Sequence, residues 1–339
     1  MLAIRKRFPI LLQPPPLDVF LVAGQSNSRA IGGNSGNIPV NLQTPNPKVR
    51  IWNIINQRWE TYVAGTNSDT AGGGVETDLW GPEGEFARRW SADNPGKICH
   101  IIKMGINSSG LNDRWIPSAG DLFQDFELEI KNALGRLGRK AKIHAVLWEQ
   151  GGTDAETSDD AAAYEANLQT LITAARQRWA QYTTKFIFGM VRADYGDFAA
   201  TVQAGQQDVA DALASAGVGI YYNDDRTLID EAHWNAAGIT NCGQDMYELF
   251  LGTYSALPAQ FGTGDWSITP GDTLLTINIS ALPTNNGALI SDIEYRVDGG
   301  SWVSSAGIDG FNITGLTNTT EYDVELRAVN FAGEGPASA

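Results

Sequence analysis

The sequence predicts an α/β protein built on a mostly parallel sheet covered on both faces, followed by a small all-β module. Three observations carry this expectation. From Asp18 onward, short β-branched runs bounded by glycine alternate with segments of amphipathic helical period. Strands separated by crossover helices imply a parallel sheet with helices on both sides. After Leu257 the helical period disappears, and short strand patterns punctuated by turn residues take over.

The elements follow in order. Residues 1–17 carry Arg5, Lys6 and Arg7, and their apolar stretch is broken by Pro9, too short for the ~7–15-residue core of a signal peptide. Pro14, Pro15 and Pro16 impose an extended segment, so residues 1–17 read as a basic, proline-rich arm. Core strands are expected at Val19–Ala23, Ile98–Met104, Ile143–Trp148, Phe186–Met190 and Val218–Tyr222. Helices are expected at Glu83–Ala92, Leu122–Leu137, Ala161–Tyr182, Phe198–Ala214 and Ala236–Ser255, with Pro82 at the first position of the first, where its missing N–H costs nothing. These elements make one domain over 18–257. Pro258, Gly262 and Gly264 mark a linker over 258–264. The module, 265–339, has strand patterns at Leu274–Ala281, Ile293–Val297, Ser301–Val303, Phe311–Ile313 and Tyr322–Val329, and Gly299-Gly300 reads as a tight hairpin turn.

Composition narrows the function. The 339 residues are 42% hydrophobic and 19% charged, with a net charge of −15. No apolar run reaches the ~18 residues of a membrane span, and an acidic chain is repelled by phosphate backbones and anionic lipid, so nucleic acid and membrane insertion are excluded. The charge is uneven: residues 265–339 hold ten Asp and Glu against Arg296 and Arg327, whereas the arm is basic. Cys99 and Cys242 lack metal-ligand or CxxC spacing and read as buried thiols.

Ligands of open α/β sheets bind beyond the carboxyl ends of the strands, and the chemistry-bearing residues cluster there. Val22-Ala23-Gly24-Gln25-Ser26-Asn27 runs from a strand into a small-residue turn that can lift a serine hydroxyl above the sheet. A hydroxyl needs an adjacent base to act as a nucleophile. Of three histidines, His100 and His144 fall within strands, whereas His233 lies in the polar loop Asp230-Glu231-Ala232-His233-Trp234-Asn235. A carboxylate three residues before a histidine can fix its tautomer and leave the other ring nitrogen to accept the serine proton. Ser26, Asp230 and His233 thus form a candidate triad. Gln150, in Trp148-Glu149-Gln150-Gly151-Gly152, is a candidate oxyanion donor beside the N–H groups of Ser26 and of a residue in Ser108-Ser109-Gly110. Each motif alone has a bland alternative: Ser26 as a helix cap, Asp230 as the cap of the last helix, Gln150 as a satisfied polar group at a sheet end.

Together these blocks resemble the SGNH (GDSL-like) hydrolases, and within them the sialate O-acetylesterase and carbohydrate esterase family 6 type. Val19–Asn27 is similar to the nucleophile block, Trp80-Gly81-Pro82-Glu83 to the Gly-Pro-Glu helix start, Trp148-Glu149-Gln150-Gly151 to the Trp-x-Gln-Gly block, and Asp230-Glu231-Ala232-His233 to the closing Asp-x-x-His. The resemblance spans about residues 18–256. It implies a three-layer α/β/α, flavodoxin-like SGNH fold and an esterase that removes O-acetyl groups from sugars without metal or cofactor. It implies Ser26 as nucleophile, His233 as base and then acid, Asp230 as its partner, and Ser26, Gly110 and Gln150 around the oxyanion. Two departures stand out. Ser108-Ser109-Gly110-Leu111 replaces a Gly-Gly-Thr segment, leaving Ser109 or Gly110 as the N–H donor. Gly152 stands where the family has an acidic residue, for which Asp154 is the available substitute. Trp115 and Asn27 are the candidate substrate-binding residues, Trp115 either as a sugar platform or in ordinary packing; packing is the expected role of Trp148.

The module resembles a fibronectin type III domain on Leu316–Tyr322, Val324, Leu326, Ala328-Val329-Asn330, Gly333 and Pro336, with Tyr322 as the corner tyrosine whose hydroxyl bonds back to the backbone. The chain ends at Ala339, before a full last strand, so the module is expected to be trimmed or completed by a neighbour. Such a module suggests action outside a cell, yet no signal peptide is evident. A phage or phage-like particle component reconciles the two: the arm anchors to a capsid or tail protein, and the partner is acetylated polysaccharide on a host surface. A glycan-binding or structural protein with a vestigial esterase fold is the alternative from another class, and a lipid esterase or thioesterase is a third.

Overall fold

The computed structural model of the protein describes residues 15–69, 78–138, 140–180, 184–286, 288, 290–330 and 332–338. Residues 1–14 of the expected arm, Arg5, Lys6 and Arg7 included, lie outside the described residues.

The first strand shows why the sheet is buried on both sides. In β1 (Leu17–Gly24), Val19, Leu21 and Ala23 enter one apolar core while Phe20 and Val22 enter another. A strand apolar on both faces belongs in the middle of a covered sheet. β1 indeed pairs in parallel with β4 (Cys99–Gly105) on one side and with β5 (Ala141–Glu149) on the other. Among the described residues the order is β3-β2-β4-β1-β5-β6-β7, with β2 Val49–Asn53, β3 Arg58–Thr61, β6 Lys185–Gly189 and β7 Val218–Tyr221. Helices α3 (Asp121–Gly135), α4 (Ser158–Arg178) and α5 (Ala199–Leu213) cover the first core, and α2 (Pro82–Asp93) with α6 (Ala236–Leu251) the second. Phe126, Leu168 and Val202 on one side, and Phe86, Ile239 and Met246 on the other, are fully buried. This is the expected three-layer α/β/α architecture.

Two differences from the expected elements have local causes. The pair β2 (Val49–Asn53) and β3 (Arg58–Thr61) was not expected, and it makes the sheet mixed, because β3 runs antiparallel at the edge. An edge strand needs no apolar run, and Arg58-Trp59-Glu60-Thr61 offers none. Helix α6 stops at Leu251 instead of continuing to Ser255, because the Thr253 N–H turns back onto the Glu248 carbonyl at 2.9 Å.

The module forms two antiparallel sheets. One has the order β11-β10-β13-β14 (Val303–Ser304, Ile290–Val297, Val324–Asn330, Gly333–Glu334) and the other β12-β9-β8 (Phe311–Thr314, Leu274–Ile279, Trp266–Pro270). Ile277, Ile293, Ile313, Leu326 and Ala328 fill the space between them, as in a fibronectin-like sandwich. The Thr317 N–H donates to the Tyr322 hydroxyl at 2.9 Å, the bond expected of a corner tyrosine, although Tyr322 is only half-buried. The module packs on the larger domain. Met190 and Tyr222, just beyond β6 and β7, meet Ala256 and Ala288 in a small apolar cluster. Asn330 Nδ2 spans the junction, reaching the carbonyls of Ala256 at 2.8 Å and Ala288 at 3.1 Å.

Candidate active site

The chain leaves β1 toward one side of the sheet, and β5 opens the other, so the β1/β5 boundary is where the strand order reverses and a crevice forms. Gly24 lies opposite Glu149, and the Gln25 N–H donates to the Glu149 carbonyl at 2.9 Å. The next residue, Ser26, opens the short helix α1 (Ser26–Arg29) and is 6% exposed. The first N–H groups of a helix have no partner inside it, and the Ser26 N–H has no acceptor among the described residues.

The loop after β7 brings the histidine to this point. The Ile229 N–H donates to the His233 carbonyl at 2.8 Å and the Asn235 N–H to Thr227 O at 2.9 Å, closing a tight excursion. Within it Asp230 folds over its own backbone. Its Oδ1 accepts the N–H groups of Ala232 at 2.8 Å and His233 at 2.7 Å, and its Oδ2 accepts His233 Nδ1–H at 2.8 Å. These bonds, the imidazole contact first, lower the Asp230 pKa to about 2. Nδ1 is thereby the protonated nitrogen, which leaves Nε2 with its lone pair free. Asn27 joins the two halves: its Nδ2 donates to Ala232 O at 3.1 Å and its Oδ1 accepts from Trp234 N–H at 3.3 Å. With one amide proton and its Oδ1, Asn27 clamps the Ser26 turn to the His233 loop, and among the described residues its second Nδ2 proton stays available for the substrate contact expected from sequence. Among the described residues Ser26 Oγ makes no hydrogen bond to the imidazole. Apo sites are often this loose.

On the other side of Ser26, residues 106–115 form the rim. The Ser109 Oγ donates to Ile106 O at 2.8 Å and accepts from Trp115 Nε1 at 2.9 Å. Trp115 is fully buried, edge-on to Trp148 with ring centroids 5.1 Å apart. It therefore supports the rim from beneath: of the two roles expected of Trp115, packing is the one found and the sugar platform is corrected, because its polar edge has its partner inside, as buried tryptophans require. Trp148 is buried in the core, as expected. The N–H groups of Ser109 and Gly110 have no acceptor among the described residues, so both remain available.

Asp154 holds this rim. Its buried carboxylate accepts the N–H groups of Leu111 at 2.9 Å and Asn112 at 3.1 Å, together with the Gln150 amide. Gln150 Nε2 also donates to Ser109 O at 3.1 Å. An amide nitrogen has two protons, and both are committed. Gln150 is therefore a brace for the Ser109–Gly110 backbone, in place of the free oxyanion donor expected from sequence. Burial raises the Asp154 pKa against these bonds.

Two residues of the site were missed by the sequence reading. A small cavity between Gln25, Asn27, Gln150 and Trp234 is also lined by Glu149 and Tyr195. Tyr195 follows β6, and its position in a post-strand loop was the available signal. Glu149 sat inside a quoted motif without a role. Its buried carboxyl accepts from the Tyr221 hydroxyl at 2.5 Å and from Asn223 Nδ2 at 3.3 Å. Burial outweighs those bonds and the nearby Arg226 charge, raising its pKa to about 7. Between the unfolded value and about 7 the native state holds a proton that the unfolded chain has released, so this group's contribution to stability falls as pH rises through that window. The loss amounts to roughly 3 kcal/mol. Urea unfolding of Glu149→Gln beside the parent protein at pH 5 and pH 8 checks this. The variant is expected to lose less stability between the two pH values, and equal losses would refute the assignment.

With this geometry in view, the likenesses to known proteins have a structural basis. No curated protein matches the chain in sequence. A protein from Arabidopsis thaliana superposes with a TM-score of 0.61 at 18% identity, covering 71% of this chain and 100% of its own. A carbohydrate acetylesterase from Xanthomonas citri gives 0.54 at 13% identity over 92% of this chain and 75% of its own. NanS gives 0.55 at 16% identity over 71% and 98%. These likenesses concern the fold. The family model described as carbohydrate esterase, sialic acid-specific acetylesterase, matches residues 16–252, the span that holds Ser26, Gln150, Asp230 and His233. That span is well over half of the chain, which therefore belongs to this family of carbohydrate ester hydrolases.

Proposed function

We propose that the protein is a serine esterase that removes O-acetyl groups from surface or extracellular polysaccharide through Ser26, His233 and Asp230. The observation that carries this reading is the 2.8 Å bond from His233 Nδ1 to Asp230, on a loop clamped by Asn27 to the turn bearing Ser26. Ser26 Oγ attacks the acetyl carbonyl carbon while His233 Nε2 takes its proton. The carbonyl oxygen gains negative charge, which the otherwise unpartnered N–H groups of Ser26 and of Gly110 or Ser109 stabilise. The intermediate collapses, the ester C–O bond breaks, and His233 returns the proton to the sugar oxygen. Water then attacks the acetyl-enzyme with His233 again as base, releasing acetate and restoring the Ser26 hydroxyl. Asp230 stays ionised throughout and stabilises the imidazolium; its low pKa favours that role.

A fluorophosphonate probe followed by peptide mass spectrometry tests the nucleophile. The label is expected on Ser26, alongside acetate release from an acetylated polysaccharide. A protein that releases acetate with the label elsewhere would overturn the triad. The commitment of Gln150 favours a second reading, a glycan-binding protein with a vestigial esterase fold, whose signature is binding without acetate release.

A further inference from the structure

Gly152, which follows β5 and faces Gln25, has no room for a side chain, and the structure shows what occupies the space. A Cβ built there would lie 2.4 and 2.6 Å from two ring carbons of Tyr195 and 2.9 Å from Gln25 Nε2. No acidic side chain, nor any other, fits at 152 unless Tyr195 moves. The Tyr195 ring thus fills the space that a side chain at 152 would need, beside Gln25, the residue that precedes Ser26. It is half-buried and faces the same cavity as Gln25 and Asn27.

The charges around this ring matter as much. Arg192, which also lines the cavity, is held by Asp194 through two bonds, 2.9 Å from Nε and 2.5 Å from an Nη. Its third bond goes to Arg226 O at 3.1 Å. Arg226 is paired with Asp245 at 2.5 Å, and Arg29 with Asp69 at 2.8 Å. Among the described residues the cations nearest this rim are all matched with carboxylates. The charges that act on the Tyr195 hydroxyl are those of Glu156 and Asp230, both negative. An anionic sugar entering here meets like charge and no uncommitted cation, a penalty that a neutral sugar avoids.

We propose that Tyr195, seated on Gly152, is the sugar-binding wall of this site, and that the site takes a neutral O-acetylated pyranose in preference to an acetylated sialic acid. The apolar face of the pyranose lies on the ring, which offers a large rigid surface of low entropic cost, and the acetyl ester is turned toward Ser26. This deepens the esterase reading and depends on it for the position of the ester.

Two measurements separate the inference from that reading. In calorimetry with Ser26→Ala, methyl 6-O-acetyl-glucopyranoside is expected to bind at least tenfold more tightly than the methyl glycoside of a 9-O-acetylated sialic acid. Adding Tyr195→Ala is expected to weaken the neutral ligand about tenfold, and adding Tyr195→Phe to leave it within about threefold, since the ring is the binding surface. In the active protein, kcat/KM for the neutral glycoside relative to 4-nitrophenyl acetate should fall about tenfold in Tyr195→Ala. Asp194→Asn, which releases the Arg192 guanidinium, should shift preference several-fold toward the sialic acid. Equal binding of the two sugars, or neutral-sugar affinity unchanged in Tyr195→Ala, overturns the inference even if the protein is an esterase. Binding as expected in a protein that hydrolyses nothing overturns the esterase reading and leaves the wall in place.

Discussion

Ser26→Ala is expected to lower kcat for 4-nitrophenyl acetate by about 10⁴- to 10⁶-fold, the range spanned when a serine hydrolase loses one member of its triad. The fold should survive the change. Ser26 Oγ makes no hydrogen bond among the described residues, and alanine is a good helix former at the first position of α1. Loss of activity with an unchanged unfolding midpoint is therefore the expected pair of results, read by steady-state assay and urea titration. Background hydrolysis sets the floor, because 4-nitrophenyl acetate reacts slowly with exposed nucleophiles anywhere on a protein. An acetyl-enzyme burst separates the two contributions: the parent protein should show one and the variant should not. A variant that keeps most of its turnover would remove Ser26 from the mechanism.

Gly24→Ala is expected to be among the most damaging single methyl additions at the described glycines. Gly24 has φ +141°, a region that a side chain rarely tolerates, and a Cβ there would lie 2.0 Å from the Glu149 carbonyl oxygen. The obstacle is the backbone of a neighbouring central strand, so no rotamer change can relieve it. The whole β1/β5 boundary would have to open, including the Gln25 N–H bond to that carbonyl. A cost of at least about 4 kcal/mol follows, enough to lower the melting temperature by about 10 °C or to prevent recovery of soluble protein. Circular dichroism melting of whatever is recovered, with Gly96→Ala as a control because nothing lies within 4 Å of its Cβ, checks the prediction. Equal melting temperatures in the two variants would show that the boundary can adapt.

The parts of the site that were legible in sequence are those whose chemistry is local. Asp230 and His233 bond across three residues of one loop, so their relation is encoded in a single short stretch. Ser26 follows a strand that is apolar on both faces, a pattern that places it at the sheet's end before any long-range contact is known. The misread residues depend on what the rest of the chain brings to them. Trp115 could be read from sequence as a platform or as packing, and only Trp148 and Phe126, which close over it from β5 and α3, decide for packing. Gln150 looked free at a strand end, but the turn at Thr153–Glu156 folds Asp154 back onto its amide. Asn27 also clamps backbone atoms more than 200 positions away, a role that no local motif shows. Tyr195 has meaning only because residue 152, 43 positions earlier, lacks a side chain. Burial and hydrogen-bond saturation are tertiary properties, and a motif read along the chain carries little of either.

The junction between the domains bears on how this protein can be re-engineered. Met190 and Tyr222 are covered in the cluster with Ala256 and Ala288, and the next residues along the chain, Val191, Arg192 and Asn223, belong to the wall of the cavity that Gln25, Asn27 and Tyr195 line. The sandwich is therefore not a bead that can be exchanged on its string. Grafting an unrelated domain after residue 264 would remove Ala288 and Asn330, uncovering Met190 and Tyr222 at the ends of the two strands that carry that wall and depriving the Ala256 carbonyl of its Asn330 donor. A chimera intended to retarget the enzyme would have to carry Ala288 and Asn330 along, or accept a reshaped pocket with its new address.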